Sequence, residues 1–368
     1  MIKILVDGMP RTVGGIGSLI MNMAEVARER KDDIRFDFII PDHSAYISVL
    51  EAKGYTYFIV PSIGDVKEYR RCVTDLFTEH KYDYLWFNNT SKVNIFLPRL
   101  AKRIGGAKLI THTHGVDFEE KGIKRAAFIV LNALHEKEMF SLIDVPLACS
   151  EQAADVYYKH DKGLRNKTVV IRNGVFTSRF LFSSENRDRI RAELGLSNDD
   201  VLLGAVGRLT KVKNYSFLID LMNDLPDRYA LILLGEGEEH AALQDQIAGS
   251  RASGRIHLLG KKDAVNEYYS AMDYFLMPSF NEGMPFSVIE AQTNGLRCIV
   301  SDTLTREMAI TDLVRFAPLE DKAAWINLLK EPETKDADRT AYVERIRESG
   351  YSIEESYDLF VESIIHSI

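Results

Sequence analysis

Two glutamates eight residues apart make the segment 278–290, PSFNEGMPFSVIE, the most informative part of this sequence for chemistry. Glu282 lies in a predicted loop, and Pro285 suits the first position of the following helix because its missing N–H costs nothing there. The helix start offers free backbone donors to an anion, and these belong to Met284, Phe286 and Ser287. With Glu290 in the second helical turn, the segment could hold hydroxyl groups and a phosphate of one elongated ligand. An ordinary turn at 281–283 remains the alternative, with Glu282 as a charge at the helix start.

A second candidate site is the segment 207–214, GRLTKVKN, which ends one predicted strand and begins the next helix. Arg208 at the strand end and Lys213 at the helix start can converge on one anion, and the helix dipole reinforces them. Two fixed cations suit a diphosphate leaving group. The alternative is that both are solvated surface side chains.

A glycine-rich run, Gly14 to Gly17, lies between the first predicted strand and the first predicted helix. Gly15 and Gly17 could let a ligand approach the backbone, and the helix start could bind its anionic part. As a dinucleotide fingerprint the run fails, because Ile20 stands where the third glycine is required, and this disfavours an NAD dehydrogenase. A tight turn between strand and helix remains the alternative.

His112 and His114 lie at and just beyond the carboxyl end of another predicted strand, Lys108–His112. Side chains just beyond the carboxyl end of a strand line the crevice of an open α/β sheet. Alternation along the strand puts both histidines on one side, although only one of them need reach the crevice. Two histidines also suit a metal ion, but no third ligand stands nearby, so we expect no metal.

These candidates all follow short apolar runs that alternate with helical patterns, which predicts βαβ units and a parallel sheet in each half of the chain. Runs that are almost wholly apolar indicate sheets covered on both faces. The predicted strands are Ile2–Val6, Phe36–Ile40, Tyr57–Val60, Tyr84–Phe87, Lys108–His112 and Pro146–Cys149, then Val201–Val206, Leu231–Leu234, Ile256–Leu259, Tyr274–Met277 and Cys298–Ser301. We therefore predict two doubly wound α/β domains, residues 1–172 and 173–352, that face a central cleft. The helix 353–368 is expected to pack back on the first domain.

Composition narrows the functional class. The chain has 368 residues, of which 46% are apolar and 27% charged, as in ordinary globular proteins. Its net charge of −8 makes it a poor nucleic-acid binder. Cys72, Cys149 and Cys298 lack metal-site spacing and are typical of buried thiols in a reducing cytosol. Neither a membrane span nor a signal peptide is indicated, so we expect a cytoplasmic protein.

Basic residues are concentrated in one part of the first domain. The cluster consists of Arg99, Lys102, Arg103, Lys108, Lys121, Lys124 and Arg125. It lies partly on a predicted helix with the apolar residues Phe96, Leu97, Leu100 and Ile104. This edge is therefore expected to meet an anionic membrane surface.

Taken in order, these motifs resemble the family-four glycosyltransferases of the GT-B fold, especially bacterial capsule and exopolysaccharide enzymes. The resemblance covers nearly the whole chain and implies two Rossmann-like domains. Its motifs are Gly14–Gly17, His112–His114, Ala148–Glu151, Ile171–Val175, Gly207–Asn214 and Glu282–Glu290, the last continued by Ala291, Gln292 and Gly295. One departure is Phe176, where the family often has aspartate.

The resemblance implies sugar transfer from a nucleotide diphosphate sugar with retention of configuration, without a metal or other cofactor. Arg208 and Lys213 would neutralise the diphosphate and Glu290 would hold the ribose hydroxyls. Glu282, with the backbone of Gly283 and Met284, would hold the donor sugar, which His114 would also approach. The glycine loop with Gly15 and Gly17 would approach the phosphates, and the leaving diphosphate would deprotonate the acceptor.

By the same resemblance the donor is expected to be a UDP-sugar, and the acceptor a glycan or a polyprenyl-diphosphate-linked sugar. The enzyme is then expected in the cytoplasm or peripherally on the inner face of the cell membrane. Two other functions stay open from the sequence: a nucleotide-sugar epimerase on the same architecture, which needs no acceptor, and a catalytically idle nucleotide-sugar binding module.

Overall fold

The computed structural model describes residues 1–11, 14–61, 65–89, 91–114, 122–282, 284–330 and 339–365, with the backbone alone for residues 122–128. The chain divides into two compact units. Met1–Gly174 with Ile353–Ile368 form the first unit, and Val175–Ser352 form the second.

The first unit is built on a seven-stranded parallel sheet. Its strands are β1 (Ile2–Asp7), β2 (Ile34–Pro41), β3 (Tyr57–Val60), β4 (Tyr84–Asn89), β5 (Lys108–Thr113), β6 (Ile143–Ala148) and β7 (Val169–Val170). They lie in the order β3-β2-β1-β4-β5-β6-β7. Its described helices are α1 (Gly15–Arg30), α2 (Ile47–Ala52), α3 (Val66–Glu79), α4 (Phe96–Leu100), α5 (Gly122–Leu142), α6 (Glu151–Tyr157), α7 (Lys162–Lys167) and, from the end of the chain, α15 (Ile353–Ile365).

Helix α15 belongs to the core of this first unit. The ring of Phe360 lies 4.6 Å from that of Trp86 on β4, and the Tyr84 hydroxyl donates to the carbonyl of Ile364 at 2.9 Å. Arg30 of α1 forms an ion pair with Asp358. The last described helix therefore covers strands that the first hundred residues form.

The second unit repeats the pattern with a six-stranded sheet. Its strands are β8 (Val201–Val206), β9 (Tyr229–Leu234), β10 (Ile256–Gly260), β11 (Tyr274–Met277), β12 (Arg297–Ser301) and β13 (Val314–Ala317), all parallel, in the order β10-β9-β8-β11-β12-β13. Its described helices are α8 (Ser184–Glu193), α9 (Tyr215–Met222), α10 (His240–Gly249), α11 (Val265–Ala271), α12 (Phe286–Thr293), α13 (Lys322–Leu329) and α14 (Tyr342–Glu348).

Each sheet is apolar on both faces, because successive residues of a strand point to opposite sides. Leu203 of β8 packs in one core and Leu202 in another on the far side of the sheet. Continuous apolar strands of this kind are stable only when helices cover both faces. The prediction of two doubly wound α/β domains is confirmed.

The strand order of each sheet reverses at one place, between β1 and β4 in the first unit and between β8 and β11 in the second. At such a reversal the connecting helices diverge, and the carboxyl ends of the two strands border a crevice in which ligands bind. Arg208, Lys213 and Glu282 follow β8 or β11. The glycine-rich run follows β1, and His112 and His114 lie at the end of β5, which neighbours β4.

Candidate active site

In the second unit the loop after β8 begins at a glycine that the structure requires. Gly207 has a φ of 154°, a conformation that other residues rarely adopt. A β-carbon on the neighbouring Gly235 would overlap the carbonyl oxygen of Gly207. The glycines thus let the ends of β8 and β9 approach closely and leave the next residue, Arg208, at the surface.

The loop after β8 and the loop after β11 are joined by three polar contacts. The Lys213 ammonium lies 2.8 Å from Oε1 of Glu282, and Phe280 donates its backbone N–H to Val212 at 2.9 Å. The side-chain amide of Asn214 donates to the carbonyl of Pro278 at 3.2 Å. Sequence reasoning assigned Lys213 and Glu282 to different parts of a ligand, whereas the structure places them in one ion pair.

The two predicted cations differ in their surroundings. Arg208 is exposed and forms no ion pair with the residues that the structure describes, whereas Lys213 is largely buried against its carboxylate. Arg208 is therefore available to pair with an anionic ligand. The charge of Lys213 is shared with Glu282.

Two buried hydroxyl groups beside these loops were not found by sequence reasoning. The Tyr215 hydroxyl and Ser279 Oγ are buried and make no hydrogen bond to the described residues. Burial, with the nearby charge of Glu282, raises the pKa of Tyr215, so its hydroxyl remains a donor. Buried polar atoms without partners are rare and commonly mark a place where a ligand or water binds.

Glu290 lies on α12 and is held by a tyrosine from another helix. The Tyr269 hydroxyl of α11 donates to Oε2 of Glu290 at 2.8 Å. Burial of the carboxyl raises the pKa of Glu290 to about 7, although the bond from Tyr269 acts in the opposite direction. This carboxyl group therefore titrates near neutral pH, where hydrogen-bond donors of a ligand could shift it to the ionised form.

The start of α12 differs slightly from the prediction. The helix begins at Phe286, and Pro285 is the extended residue before it, so that Pro285 precedes the first helical position. The side chains of Met284 and Phe286 pack against the hydrophobic cores, which leaves their backbone groups as the parts able to reach a ligand. Gly283 lies outside the described residues.

In the first unit, Asn88 connects His114 to the end of β1. The amide nitrogen of Asn88 donates to the carbonyl of Asp7 at 3.1 Å, so its Oδ1 faces His114 Nε2, 2.8 Å away. Because Oδ1 can only accept, Nε2 of His114 carries the proton and Nδ1 is left as an acceptor. That Nδ1 atom is buried without a partner among the described residues.

His112 and His114 lie on the same side, as alternation predicts, with ring centroids 4.2 Å apart. His112 is fully buried and stacks on Trp86, and burial lowers its pKa to about 3. Burial lowers the pKa of His114 well below its ordinary value, so both rings are neutral at pH 7. No three His, Cys, Asp or Glu side chains of the described chain gather as a metal site would require.

Asp7, at the carboxyl end of β1, is a further residue near the candidate site that the sequence did not reveal. Burial raises the pKa of its carboxyl to about 7. The next residue, Gly8, has a φ of 97°, and a β-carbon there would overlap the backbone of Asn88. A titrating carboxyl and a neutral histidine thus flank the reversal point of the first sheet.

The glycine-rich run begins α1, with Gly14 as the residue before the helix. The Tyr46 hydroxyl accepts a hydrogen bond from the Gly14 N–H at 3.3 Å, and a β-carbon at Gly17 would overlap the Tyr46 ring. Gly17 therefore has a packing role. The predicted contact of Gly15 and Gly17 with a phosphate stays a prediction.

Two family models match the chain and together cover nearly all of both units. One, "Glycosyltransferase Family 4", matches residues 13–179, and the other, "Glycosyl transferases group 1", matches residues 186–349. The chain is a family-four glycosyltransferase.

Known proteins agree with this assignment. The glycosyltransferase is 24% identical over 364 residues to EpsF of Bacillus subtilis (strain 168), across 96% of this chain and 93% of EpsF. The name of EpsF describes it as a glycosyltransferase. It is 27% identical over 266 residues to the UDP-Gal:alpha-D-GlcNAc-diphosphoundecaprenol alpha-1,3-galactosyltransferase of Escherichia coli, across 67% and 66% of the two chains. The crystal structure of Anabaena Alr3699/HepE in complex with UDP-glucose shares the fold with a TM-score of 0.73 at 18% identity, over 100% of both chains. The GT-B fold is confirmed, and nothing here supports the epimerase alternative.

The basic cluster of the glycosyltransferase is less exposed than its sequence predicts. Arg99 forms an ion pair with Glu138, and Lys102 with Asp144. Leu97 is buried in the core, and Phe96 and Leu100 pack against it. Lys121 lies outside the described residues, as do the side chains of Lys124 and Arg125. Within the described chain, no helix combines the length and hydropathy needed to cross a bilayer.

Proposed function

We propose that the glycosyltransferase moves a sugar from a UDP-sugar to a glycan or polyprenyl-diphosphate-linked acceptor in bacterial surface polysaccharide synthesis. The name of the Escherichia coli relative specifies UDP-Gal and a diphosphoundecaprenol-linked sugar, and the Anabaena structure contains UDP-glucose. Both support a uridine donor, and the name of the Escherichia coli relative also supports a lipid-linked acceptor for this chain.

The observation that carries the proposal is the set of charges at the ends of β8 and β11. Arg208 is exposed without an acidic partner among the described residues, and beside it Lys213 is held by Glu282. A diphosphate would bind the Arg208 guanidinium through two oxygens and share the Lys213 ammonium with Glu282. The free N–H groups at the start of α12 would add donors to the same anion.

The two carboxylates then hold hydroxyl groups at opposite ends of the donor. Glu290, oriented by Tyr269, accepts hydrogen bonds from the ribose hydroxyls. Glu282, oriented by Lys213, accepts them from the sugar that is transferred. Both assignments rest on the family resemblance together with the contacts that fix each carboxylate.

In the first unit, His114 accepts a hydrogen bond at Nδ1 from a hydroxyl of the transferred sugar. The ring suits this task because it is neutral and its other nitrogen is committed to Asn88. In the transfer step the acceptor oxygen bonds to the anomeric carbon, the bond to the diphosphate oxygen breaks, and the diphosphate takes the acceptor proton. Retention of configuration and independence of metal follow the resemblance, with Arg208 and Lys213 supplying the positive charge that the leaving group needs.

A thermal-shift panel of UDP-, GDP- and ADP-sugars tests the donor. UDP-glucose or UDP-galactose is expected to raise Tm most, and ligand at a hundred times its Kd adds about 2.7 kcal/mol to the free energy of unfolding. Arg208→Ala, with binding weakened about tenfold or more, should reduce this stabilisation to about half or less at the same ligand concentration. If no nucleotide sugar raises Tm, the donor site is wrong, and a shift with GDP-sugars alone would replace uridine by guanosine.

A lipid-linked acceptor would bring the enzyme to a membrane, and we propose the inner face of the cell membrane as its place of action. UDP release from the donor should then depend on added polyprenyl-diphosphate-linked sugar. Release that is the same without acceptor would reject transfer to it.

A further inference from the structure

The hydroxyl group of Tyr215 lies beside the ion pair of Lys213 and Glu282. A β-carbon placed on Gly207 would lie 2.8 Å from the Tyr215 hydroxyl oxygen and 3.5 Å from Lys213 Nζ, so both atoms border the same side of this glycine. Lys213 Nζ in turn lies 2.8 Å from Oε1 of Glu282. The hydroxyl, the ammonium and the carboxylate therefore form one cluster in the loops that follow β8 and β11.

The position of Tyr215 is fixed by the way the chain enters α9. Asn214 has a φ of 54°, in the left-handed region, and α9 begins at the next residue. Tyr215 is buried in the same hydrophobic core as Leu209 and Leu218. Packing therefore holds the ring in place and keeps its hydroxyl group next to the ion pair.

The Tyr215 hydroxyl is a donor that lacks an acceptor. It is buried and makes no hydrogen bond to the described residues. Burial, with the nearby charge of Glu282, raises the pKa of Tyr215, so the group stays protonated. A buried hydroxyl without a partner lowers stability, and such groups are rare in folded proteins. Its position beside a carboxylate points to a bond that forms in another state of the site.

Donor binding would create that state. The side chain of Glu282 is only 18% exposed, and Lys213 is its ion-pair partner in the described part of the chain. A diphosphate that draws the ammonium towards itself leaves this carboxylate largely buried with a weakened partner. A buried charge that loses its partner is strongly unfavourable unless another donor replaces it.

We propose that Tyr215 is a positioning residue that takes over Glu282 when Lys213 turns to the diphosphate of the donor. In the free protein Lys213 holds the carboxylate. In the donor complex the Tyr215 hydroxyl donates to it and keeps it directed at the sugar. This exchange of partners rests on the proposed function, because the diphosphate of the nucleotide sugar is the anion that draws Lys213 away.

A direct bond from the Tyr215 hydroxyl to the diphosphate fits less well. The hydroxyl is covered by protein in the free chain, whereas Arg208, the cation that meets a ligand first, is exposed. The carboxylate of Glu282 is already inside the cluster, so the hydroxyl can reach it without being uncovered.

A double-mutant cycle on UDP affinity tests the exchange. Calorimetry with UDP is measured on the wild type, Tyr215→Phe, Glu282→Ala and the double variant. Tyr215→Phe should bind UDP about tenfold or more weakly, because the released carboxylate then lacks a donor. In Glu282→Ala no carboxylate needs one, so adding Tyr215→Phe should change the affinity by less than about twofold. Glu282→Gln, which removes the charge and keeps the shape, replaces Glu282→Ala if the alanine variant folds poorly.

Tyr229 supplies a matched control. It is buried in the same core, but its hydroxyl has an acceptor, the carbonyl of Leu329 at 3.1 Å. Tyr229→Phe should therefore lower Tm without changing the affinity for UDP. Tyr215→Phe should do the reverse, with a Tm in the absence of ligand that equals or exceeds that of the wild type, since its hydroxyl had no partner there.

Unchanged UDP affinity in Tyr215→Phe would overturn the proposal, and so would a fall in Tm as large as that of the control. An equal loss of affinity with and without Glu282 would place the hydroxyl on the ligand instead and would overturn it as well. The wild type reports separately on the proposed function. If it binds neither UDP nor UDP-glucose, the donor site fails and the exchange fails with it, whereas normal wild-type binding that Tyr215→Phe leaves intact rejects the exchange alone.

Discussion

Lys213 and Glu282 form an ion pair of 2.8 Å between the loops that follow β8 and β11. A diphosphate that enters here must share the lysine with the carboxylate. Each residue therefore changes what the other contributes to donor binding. The role of Lys213 on the diphosphate and that of Glu282 on the sugar can be separated by measuring which ligand a variant of each residue still binds.

Glu282→Ala is expected to leave the affinity for UDP unchanged or higher, because Lys213 then loses its competing carboxylate. Turnover should fall by about tenfold to more than a hundredfold, the range for hydrogen bonds to a charged group. Calorimetry with UDP and UDP-release kinetics measure the two effects. Glu267→Ala, which removes the surface partner of Arg189 in the same unit, is the control and should change neither. A large loss of UDP affinity in Glu282→Ala would reverse the assignment.

Glu290 makes donor binding depend on pH. Hydrogen bonds from the ribose hydroxyls favour the ionised form of Glu290. Because the pKa of Glu290 is about 7 in the free protein, its carboxyl group must release a proton when the donor binds at a pH below 7. The affinity for UDP-glucose should rise between pH 6 and 8, by at most about tenfold per unit below the pKa. In Glu290→Gln it should be weaker and flat. Calorimetry in two buffers of different ionisation enthalpy reports the released proton, and constant wild-type affinity over this range would contradict the role.

The same carboxyl groups make stability depend on pH. Burial raises the pKa of Glu290 from 4.5 to about 7 and that of Asp7 from 3.8 to about 7. The folded protein therefore binds more protons than the unfolded chain between these values, and stability is lost as pH rises towards 7. At about 1.4 kcal/mol per pKa unit, each group lowers the free energy of unfolding by roughly 3–4 kcal/mol once pH exceeds its folded-state pKa. The Tm of Asp7→Asn and of Glu290→Gln is compared with that of the wild type, and the difference (variant minus wild type) should increase from pH 5 to pH 8. A difference that stays constant with pH would show that these carboxyl groups do not titrate in this range.

His114→Ala is expected to keep the affinity for UDP and to lower turnover by about five- to tenfold, the effect of losing one neutral hydrogen bond. Because burial holds the pKa of His114 well below its ordinary value, the turnover of the wild type should show no step near pH 6.5 that depends on this residue. Rate profiles of wild type and variant against pH check both points. A step near pH 6.5 that disappears in His114→Ala would make the histidine an acid–base group instead.

Chelation tests the role of the side-chain cations. EDTA should leave UDP-glucose binding and UDP release intact, because Arg208 and Lys213 carry the charge that a metal would otherwise supply. Arg208→Ala should weaken binding by about tenfold or more with or without EDTA. Activity that EDTA removes and Mg²⁺ or Mn²⁺ restores would place a metal in the reaction.

The fold could be predicted because its signals are local. Apolar runs such as Leu231–Leu234 within β9 are recognisable without any tertiary information. Strand β13 was not predicted, since Val314–Ala317 contains Arg315 and has only two buried residues. Strand β7 is two residues long and has no periodicity to detect.

The site could be predicted only as far as its motifs extend. Tyr269 lies 21 positions before the Glu290 that it orients, and nothing in the intervening sequence connects the two. The partners of Arg99 and Lys102 lie 39 and 42 positions away, so that counting charges along the chain overstated the basic surface. Interactions of this kind depend on tertiary contacts and became visible only in the folded chain.

The position of α15 imposes an order on the biogenesis of the enzyme. The rings of Trp86 and Phe36 are buried beneath Phe360, which the ribosome adds only after the whole second unit has been made. A nascent first unit therefore exposes this aromatic surface throughout elongation and completes its core last. Chaperones that bind exposed aromatic segments have that interval in which to act, and a nonsense mutation anywhere in the second unit leaves the first unit uncovered as well.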